Sequence, residues 1–362
     1  MTKAAELAKW GEVSTNGQVS GRRNIVINGA MQVAQRSASV TGVGSDSGYF
    51  TLDRMQILAA ATAGRATMTQ TADGPSGFAN CLKLDCTTAD TSIAAGEYII
   101  INYRIEGQDL QQIKKGTSDA ESITISFYVK GNANATYMLE VSDTDNSRVN
   151  QNQFAVTTDW NRIEITLAPD TTGAFTDDNG LSMEIKFWLH SGSTFNSGTY
   201  TANTWASQTN ANRAVGITSF FDSTDREFFI TGLQLEVGSV ATPFENRSFG
   251  EELALCQRYF QARIGQQAVA AGVWFTNAEV LANFSFLKEM RAAPTMSVSS
   301  ADWGKAYLAS AARATNDTSV FDAISTMSAR MYIQTFAVNG TAGQGTMVQL
   351  LSSEYIYADS EL

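Results

Sequence analysis

The chain has 362 residues, enough for two or three domains with ordinary cores. Charged residues make up 17%, below the roughly 25% usual in globular proteins, and Thr, Ser, Asn and Gly take their place, a profile of β-sandwiches rather than of helical bundles or disorder. The net charge of -11 argues against nucleic-acid binding, because phosphate contacts need a basic face, and it suits a protein that stays soluble while exposed.

Thr2 to Trp10 reads as a short helix that Gly11 stops. A helix of that length is marginal in water and needs a partner, so residues 1–23 are either a candidate attachment segment, with Leu7 and Trp10 as its anchor contacts, or a frayed terminus. Met1 to Gly11 lacks the order of a secretory signal, and no apolar run approaches the roughly 20 residues of a membrane span, so no membrane insertion is expected.

From Asn24 the pattern turns to short strands punctuated by Gly, Asn and Asp. The expected strands are Ile25 to Ala34, Arg54 to Ala61, Ala66 to Thr71, Cys81 to Cys86, Glu97 to Ile105, Ile123 to Lys130, Tyr137 to Ser142, Phe154 to Thr157, Asn161 to Leu167, Met183 to His190 and Glu227 to Val237. Such spacing predicts an antiparallel β-sandwich over residues 24–247, with the jelly roll as the best fit. Glu106 to Ile113 interrupts it as a short helix. The run SITISFYVKGN followed by a paired strand resembles carbohydrate-binding-module-like jelly rolls, a likeness of fold alone.

Ser191 to Asn212 is a long polar loop carrying Phe195, Tyr200 and Trp205. Aromatic rings on a Ser/Asn/Thr-rich loop supply apolar area with adaptable hydrogen bonds, which makes Tyr200 and Trp205 candidate glycan contacts. The competing expectation is that the rings tuck under the loop or pack against a neighbouring subunit. Asp143, Asp145 and Asn146 either crowd around a calcium ion or form a plain acidic turn, and no metal or cofactor is assigned.

Phe229, Thr231, Leu233, Leu235 and Val237 recur every second residue and are expected on one strand face, with Ile230, Gln234 and Glu236 on the other. Ser248 and Glu251 have capping-box spacing, and Phe249, Leu253, Cys256 and Phe260 form a stripe, predicting a linking helix over 248–265 that Gly265 closes. This is expected to be a structural junction. Beyond it, Gln267 to Phe275, Val280 to Leu287, Thr295 to Ser299, Met327 to Val338 and Thr346 to Tyr357 read as strands of a smaller C-terminal β domain over 266–362; Ala301 to Thr318 has no clear pattern.

At the junction the sequence meets a resemblance. GLQLEVGSVATPFENRSFGEELALCQRYF is similar to a block of many tailed-bacteriophage and prophage virion proteins, particularly tail fibres. NIVINGAMQVAQR with the Asp53-Arg54 pair resembles the opening segment of that family, and FSFLKEMRAAPT resembles the start of its C-terminal β region. The resemblance implies a structural virion protein, on the tail rather than the head, made in the host bacterial cytoplasm and released by lysis. It implies a homotrimer that meets other virion proteins through its N-terminal segment and touches a host-surface glycan. The alternatives are a head fibre or capsid decoration protein and a glycan-degrading tailspike.

Little in the sequence carries chemistry. Cys81, Cys86 and Cys256 have neither metal nor disulfide spacing and read as small core residues, and the single histidine, His190, reads as a satisfied structural one. No nucleophile elbow, zinc-protease signature, phosphate loop or dinucleotide fingerprint is present. A glycosidase needs only two suitably spaced carboxylates, and 36 acidic residues supply many pairs, but no solenoid repeat of a β-helical depolymerase accompanies them. The expectation is therefore a protein that is not an enzyme.

Overall fold

The computed structural model describes residues 3, 22–307, 313–335 and 340–362; the expected N-terminal helix, with Leu7 and Trp10, lies outside the described residues. The chain divides into two units, 1–252 together with Leu362, and 253–361. The boundary falls inside the linking helix rather than at its ends.

The first unit carries thirteen strands among its described residues: β1 (Ser39–Val43), β2 (Gly48–Tyr49), β3 (Gln56–Ala60), β4 (Arg65–Thr71), β5 (Cys81–Thr88), β6 (Tyr98–Glu106), β7 (Ile123–Gly131), β8 (Ala135–Asp143), β9 (Arg148–Val156), β10 (Asn161–Leu167), β11 (Leu181–Ser191), β12 (Ala206–Ser207) and β13 (Glu227–Val237). They form two antiparallel sheets, ordered β1-β4-β5-β13-β7-β10 and β12-β9-β8-β11-β6-β3-β2. The chain passes from one sheet to the other between β1 and β2, β3 and β4, β5 and β6, β6 and β7, β7 and β8, β9 and β10, β10 and β11, and β12 and β13. These crossings make a jelly-roll sandwich. Alternate residues of both sheets fill one core, among them Ile99, Ile101 and Tyr103 of β6, Ile125 and Phe127 of β7, and Ile185 and Phe187 of β11.

Cys81, Cys86 and Cys256 are buried, and burial pushes the thiols of Cys81 and Cys86 up to about 11, which keeps both protonated. Glu106 to Ile113 forms two short 3-10 turns, Gly107–Asp109 and Gln111–Ile113, instead of one helix.

Two expectations about the signature stretches are corrected. Ile25 to Ala34 is not a strand: Asn28 and Met31 both have positive φ, and the segment runs as tight turns against β13. Gly29 lies so close to that strand that a Cβ would stand 2.1 Å from the Leu233 carbonyl oxygen. In β13 a bulge between Thr231 and Gln234, with Gly232 at φ +64°, shifts the alternation by one residue. Phe228, Ile230, Leu233 and Leu235 therefore face the core, and Phe229 packs outside against Trp160. Any side chain at Gly232 would meet the rings of Phe78 and Tyr128.

The polar residues of the two signature stretches meet in one buried network. The Asn24 side chain accepts from the Leu235 N–H and donates to the Leu233 carbonyl. The Glu245 carboxylate accepts the N–H groups of Arg23 and Asn24. Arg247 donates to the Val26 and Asn24 carbonyls and pairs with Glu252 at 3.2 Å, both side chains at most 5% exposed. Glu252 also accepts the Asn28 N–H at 2.6 Å. Glu236 accepts from Gln234 Nε2 and from the N–H and hydroxyl of Thr242, while Gln234 Oε1 accepts the Glu245 N–H. Asn28 and Asp53 extend the network to Val33 and Gln35.

The linking helix is shorter than expected, Phe249–Cys256. Ser248 Oγ accepts the Glu251 N–H at 3.3 Å, as the capping spacing predicts. Phe249 is exposed and Glu252 is buried, so the expected apolar stripe is not the buried face at this end. After a turn at Arg258-Tyr259 the chain becomes a strand, because Phe260 to Ile264 finds an antiparallel partner in Tyr355 to Asp359.

The second unit contains β14 (Phe260–Ile264), β15 (Ala268–Trp274), β16 (Glu279–Ser285), β17 (Thr295–Val298), β18 (Gly304–Tyr307), β19 (Arg313–Asp322), β20 (Ser328–Thr335), β21 (Gly345–Leu350) and β22 (Tyr355–Asp359). β14, β22 and β17 form a small sheet, and β15-β16-β20-β19-β18-β21 close into a barrel. Trp274, Phe284, Trp303, Met331 and Ile333 lie in its core. Closure removes sheet edges that would otherwise be open to pairing. The patternless stretch after Ala301 supplies β18 and β19.

Removing the Arg247 guanidinium leaves the buried Glu252 carboxylate without its cation and two carbonyls without a donor. Arg247→Ala is expected to cost the sandwich unit about 3–5 kcal/mol, read as a lowered urea midpoint by circular dichroism, whereas an unchanged midpoint removes this ion pair from the account.

Candidate functional site

The seven-stranded sheet has its core-facing residues on one side; the other side carries in-register rows of a different composition. Gln151 of β9 stands opposite Glu140 of β8, Glu140 opposite Lys186 of β11, Lys186 opposite Asn102 of β6, and Asn102 opposite Gln56 of β3. A polar row thus crosses five strands. One step along, Met138, Trp188, Ile100 and Leu58 form an apolar row, packed with Tyr98, Phe195 and Tyr200. On the other flank are Ser142, Glu184 and Arg104.

The polar row is recessed and extensively paired. Arg213, from the loop after β12, forks onto the Glu140 carboxylate at 2.6 to 3.2 Å and lies over the Trp188 ring at 4.8 Å. Lys186 donates to Glu184 and to Ser142. Asn102 Nδ2 donates to Gln56 Oε1 and Glu184 Oε1, each at 3.0 Å. Burial on its own would raise the Glu140 and Glu184 carboxyls. For Glu140 the Arg213 fork, then Lys186, outweighs it; for Glu184, Lys186 does so first, and both carboxyls end below the usual range. Among the described residues Asn102 Oδ1 and Trp188 Nε1 have no hydrogen-bond partner.

The loop residues expected to touch glycan are held by this framework. Tyr200 accepts the Gln153 N–H with its hydroxyl and packs on the apolar row. Trp205 donates its indole N–H to the Ala168 carbonyl at 2.9 Å and packs against the main core, with the Lys115 ammonium 5.7 Å from its ring. Both are half-buried, and they lie in different packing environments. Each ring is thus partly covered by its packing and partly open to solvent.

The acidic turn is occupied by a lysine. Lys115 Nζ lies 2.5 Å from Asp143, 3.1 Å from Asp170, and 2.7 and 2.8 Å from the carbonyls of Thr172 and Gly173. Its side chain is 2% exposed. An ammonium stands among the oxygens where a calcium ion was one expectation. Asn146 completes the turn by donating to Asp143, and Asp145 accepts from Thr176 instead. No hydropathy pattern could have found Lys115, which lies 28 residues away in sequence from Asp143.

His190 is buried on β11, and its Nδ1 lies 2.8 Å from Ser219 Oγ. Its Nε2 has no hydrogen-bond partner among the described residues, so only one ring nitrogen fits the expectation of a satisfied histidine. No helix among the described residues is long and apolar enough to cross a membrane.

No protein-family model matches the chain, and no curated protein matches it. Among solved structures, a putative sugar binding protein from Bacteroides thetaiotaomicron is similar at 10% identity and TM-score 0.32, covering 59% of this chain and 100% of that one. A CBM4 structure is similar at 9% identity and TM-score 0.29, covering 58% of this chain and 97% of that one. The enzymatically active domain of tailspike protein 4 of bacteriophage CBA120 is similar at 11% identity and TM-score 0.29, covering 59% of this chain and 21% of that one.

Because Glu140 is held below its ordinary range, its contribution to stability is complete above the unfolded carboxylate pKa of about 4.3 and is lost as pH falls through the lower folded value. Glu140→Gln is expected to lower stability at neutral pH and to flatten the fall in stability below about pH 4.3. Parallel wild-type and variant curves of urea midpoint against pH would contradict this.

Proposed function

We propose that the chain is a structural protein of a tailed-bacteriophage virion, of the tail-fibre type, whose sandwich unit binds a host-surface glycan on the outer face of the seven-stranded sheet. The observation that carries the binding reading is the in-register polar row from Gln56 to Gln151, bordered by the Trp188 and Tyr98 shelf. Amides, a lysine and a carboxylate at strand spacing place donors and acceptors suited to sugar hydroxyls in one row, and the half-buried rings of Tyr98, Phe195 and Tyr200 beside it offer apolar area to a sugar ring.

The virion reading rests on the sequence resemblance. Its support from the fold is that the first stretch, the Asp53-Arg54 pair and the β13 block, apart in sequence, converge on one buried network. Binding without cleavage is favoured because Glu140 and Glu184 are both held ionised by cations, whereas a glycosidase acid must carry a proton at working pH. Association into a homotrimer would cover apolar residues that the second unit exposes, Phe275, Val320, Met327 and Met347. Presentation of several copies would raise the avidity of weak sugar sites.

The test is a glycan array probed with the full chain and with Gln56→Ala/Gln151→Ala, substitutions at the two ends of the row that leave its ion pairs intact. Binding of surface polysaccharide or lipopolysaccharide glycans by the wild type, reduced at least tenfold in the variant with an unchanged circular dichroism spectrum, is expected. Equal binding by both proteins moves the site elsewhere, and absence of binding by the wild type overturns the glycan reading.

A further inference from the structure

The segment between β5 and β6 reaches β11 through three side chains that the polar face does not use. Asp90, Glu97 and His190 each bring one potential ligand atom within 4.8 Å of the others, and all three are buried. Asp90 Oδ2 is fixed by the Thr62 hydroxyl at 2.8 Å and the Ala63 N–H at 2.9 Å. His190 Nδ1 is fixed by Ser219 Oγ, which also accepts the Phe221 N–H at 3.1 Å, and the imidazole packs on the Phe221 ring. The ring is thereby oriented with Nε2 toward Glu97.

The atoms at the centre are the ones left unsatisfied. Glu97 Oε2 and His190 Nε2 have no hydrogen-bond partner among the described residues, and they lie 3.6 Å apart on side chains 7% and 0% exposed. Among the described residues no lysine or arginine pairs with Asp90 or Glu97. Two carboxyl groups and an imidazole nitrogen facing one another away from water are relieved either by a proton held between the carboxyls or by a cation among all three. Ligand atoms bound tetrahedrally at about 2.1 Å stand about 3.4 Å apart, close to the observed separation.

We propose that Asp90, Glu97 and His190 bind a divalent transition-metal ion, Zn2+ by preference, that fastens the β5–β6 connection to β11. A mixed imidazole and carboxylate set suits zinc, whereas calcium takes oxygen ligands in larger number. Ser219 then has the role of the outer partner that orients a metal-bound histidine through its second nitrogen. Residues 91–96, which join Asp90 to Glu97, are exposed. Burial of all three ligands makes this a site for stability rather than for substrate.

The test uses the full chain, purified without a metal-affinity tag, stripped with chelator and then desalted with or without added Zn2+. Elemental analysis is expected to find about one zinc per chain, and the thermal midpoint of the sandwich unit is expected to rise with zinc concentration. Glu97→Gln and His190→Gln are each expected to lose both effects; Glu97→Gln keeps the side-chain shape and decides the matter if the histidine variant does not fold. Less than a tenth of an equivalent retained, with a midpoint indifferent to zinc, overturns the proposal. Equal retention by wild type and a folded Glu97→Gln variant overturns it as well.

Discussion

The sandwich unit depends on a tie between the start of its described chain and its last strand. β13 lies inside the six-stranded sheet, hydrogen-bonded to β5 and β7, so the last strand to be made occupies a central position. Residues 24–36 cross that strand as turns, and their backbone groups need partners that a sheet edge would otherwise provide. Asn24, Glu245, Arg247 and Glu252 supply them. Asn24, Glu252 and the Arg247 side chain are buried and Glu245 is half-buried, and buried ionic groups are tolerable only when they are paired. The tie therefore acts as a unit, and loss of one member leaves the rest in a worse environment than water.

This arrangement gives the polar residues of the β13 stretch a structural role. Gln234, Glu236, Thr242 and Glu245 satisfy one another across the turn that follows β13. Their spacing is dictated by the path of the chain through that turn. A framework fixed in this way leaves the opposite sheet free to present side chains from rigid strands, and sites on strands hold their geometry better than sites on loops. The polar row from Gln56 to Gln151 has that character: its order comes from strand pairing, and its charges are locked by Arg213 and Lys186.

Alternation made most of the strands legible. β5, β6, β7, β10 and β11 follow their apolar periods closely, because one sheet face meets the core and period two is the only pattern that can do so. The face assignment failed for the first half of β13 because Gly232 admits a bulge, and a bulge inverts the parity of everything before it. Ile25 to Ala34 reads as a strand by composition, yet Asn24 just before it and Asn28 within it compete for backbone groups and hold turns instead. The helix after Ser248 was visible from its cap, while its end was set by a strand partner about a hundred residues away. The polar row was not legible at all, since five residues from five strands become neighbours only once register is known. The same holds for Lys115 among its oxygens and for Asp90 and Glu97 beside His190.

Hydrogen–deuterium exchange of the intact protein addresses the tie most directly. If it closes the sandwich, the amides of Ile25, Asn28, Val33 and Leu235 exchange in the slowest class, together with those of β6 and β11, through opening of the whole unit. Rapid exchange across residues 24–36 while β6, β11 and β13 stay protected would contradict the account, and would make this segment a surface addition to a sandwich that holds without it.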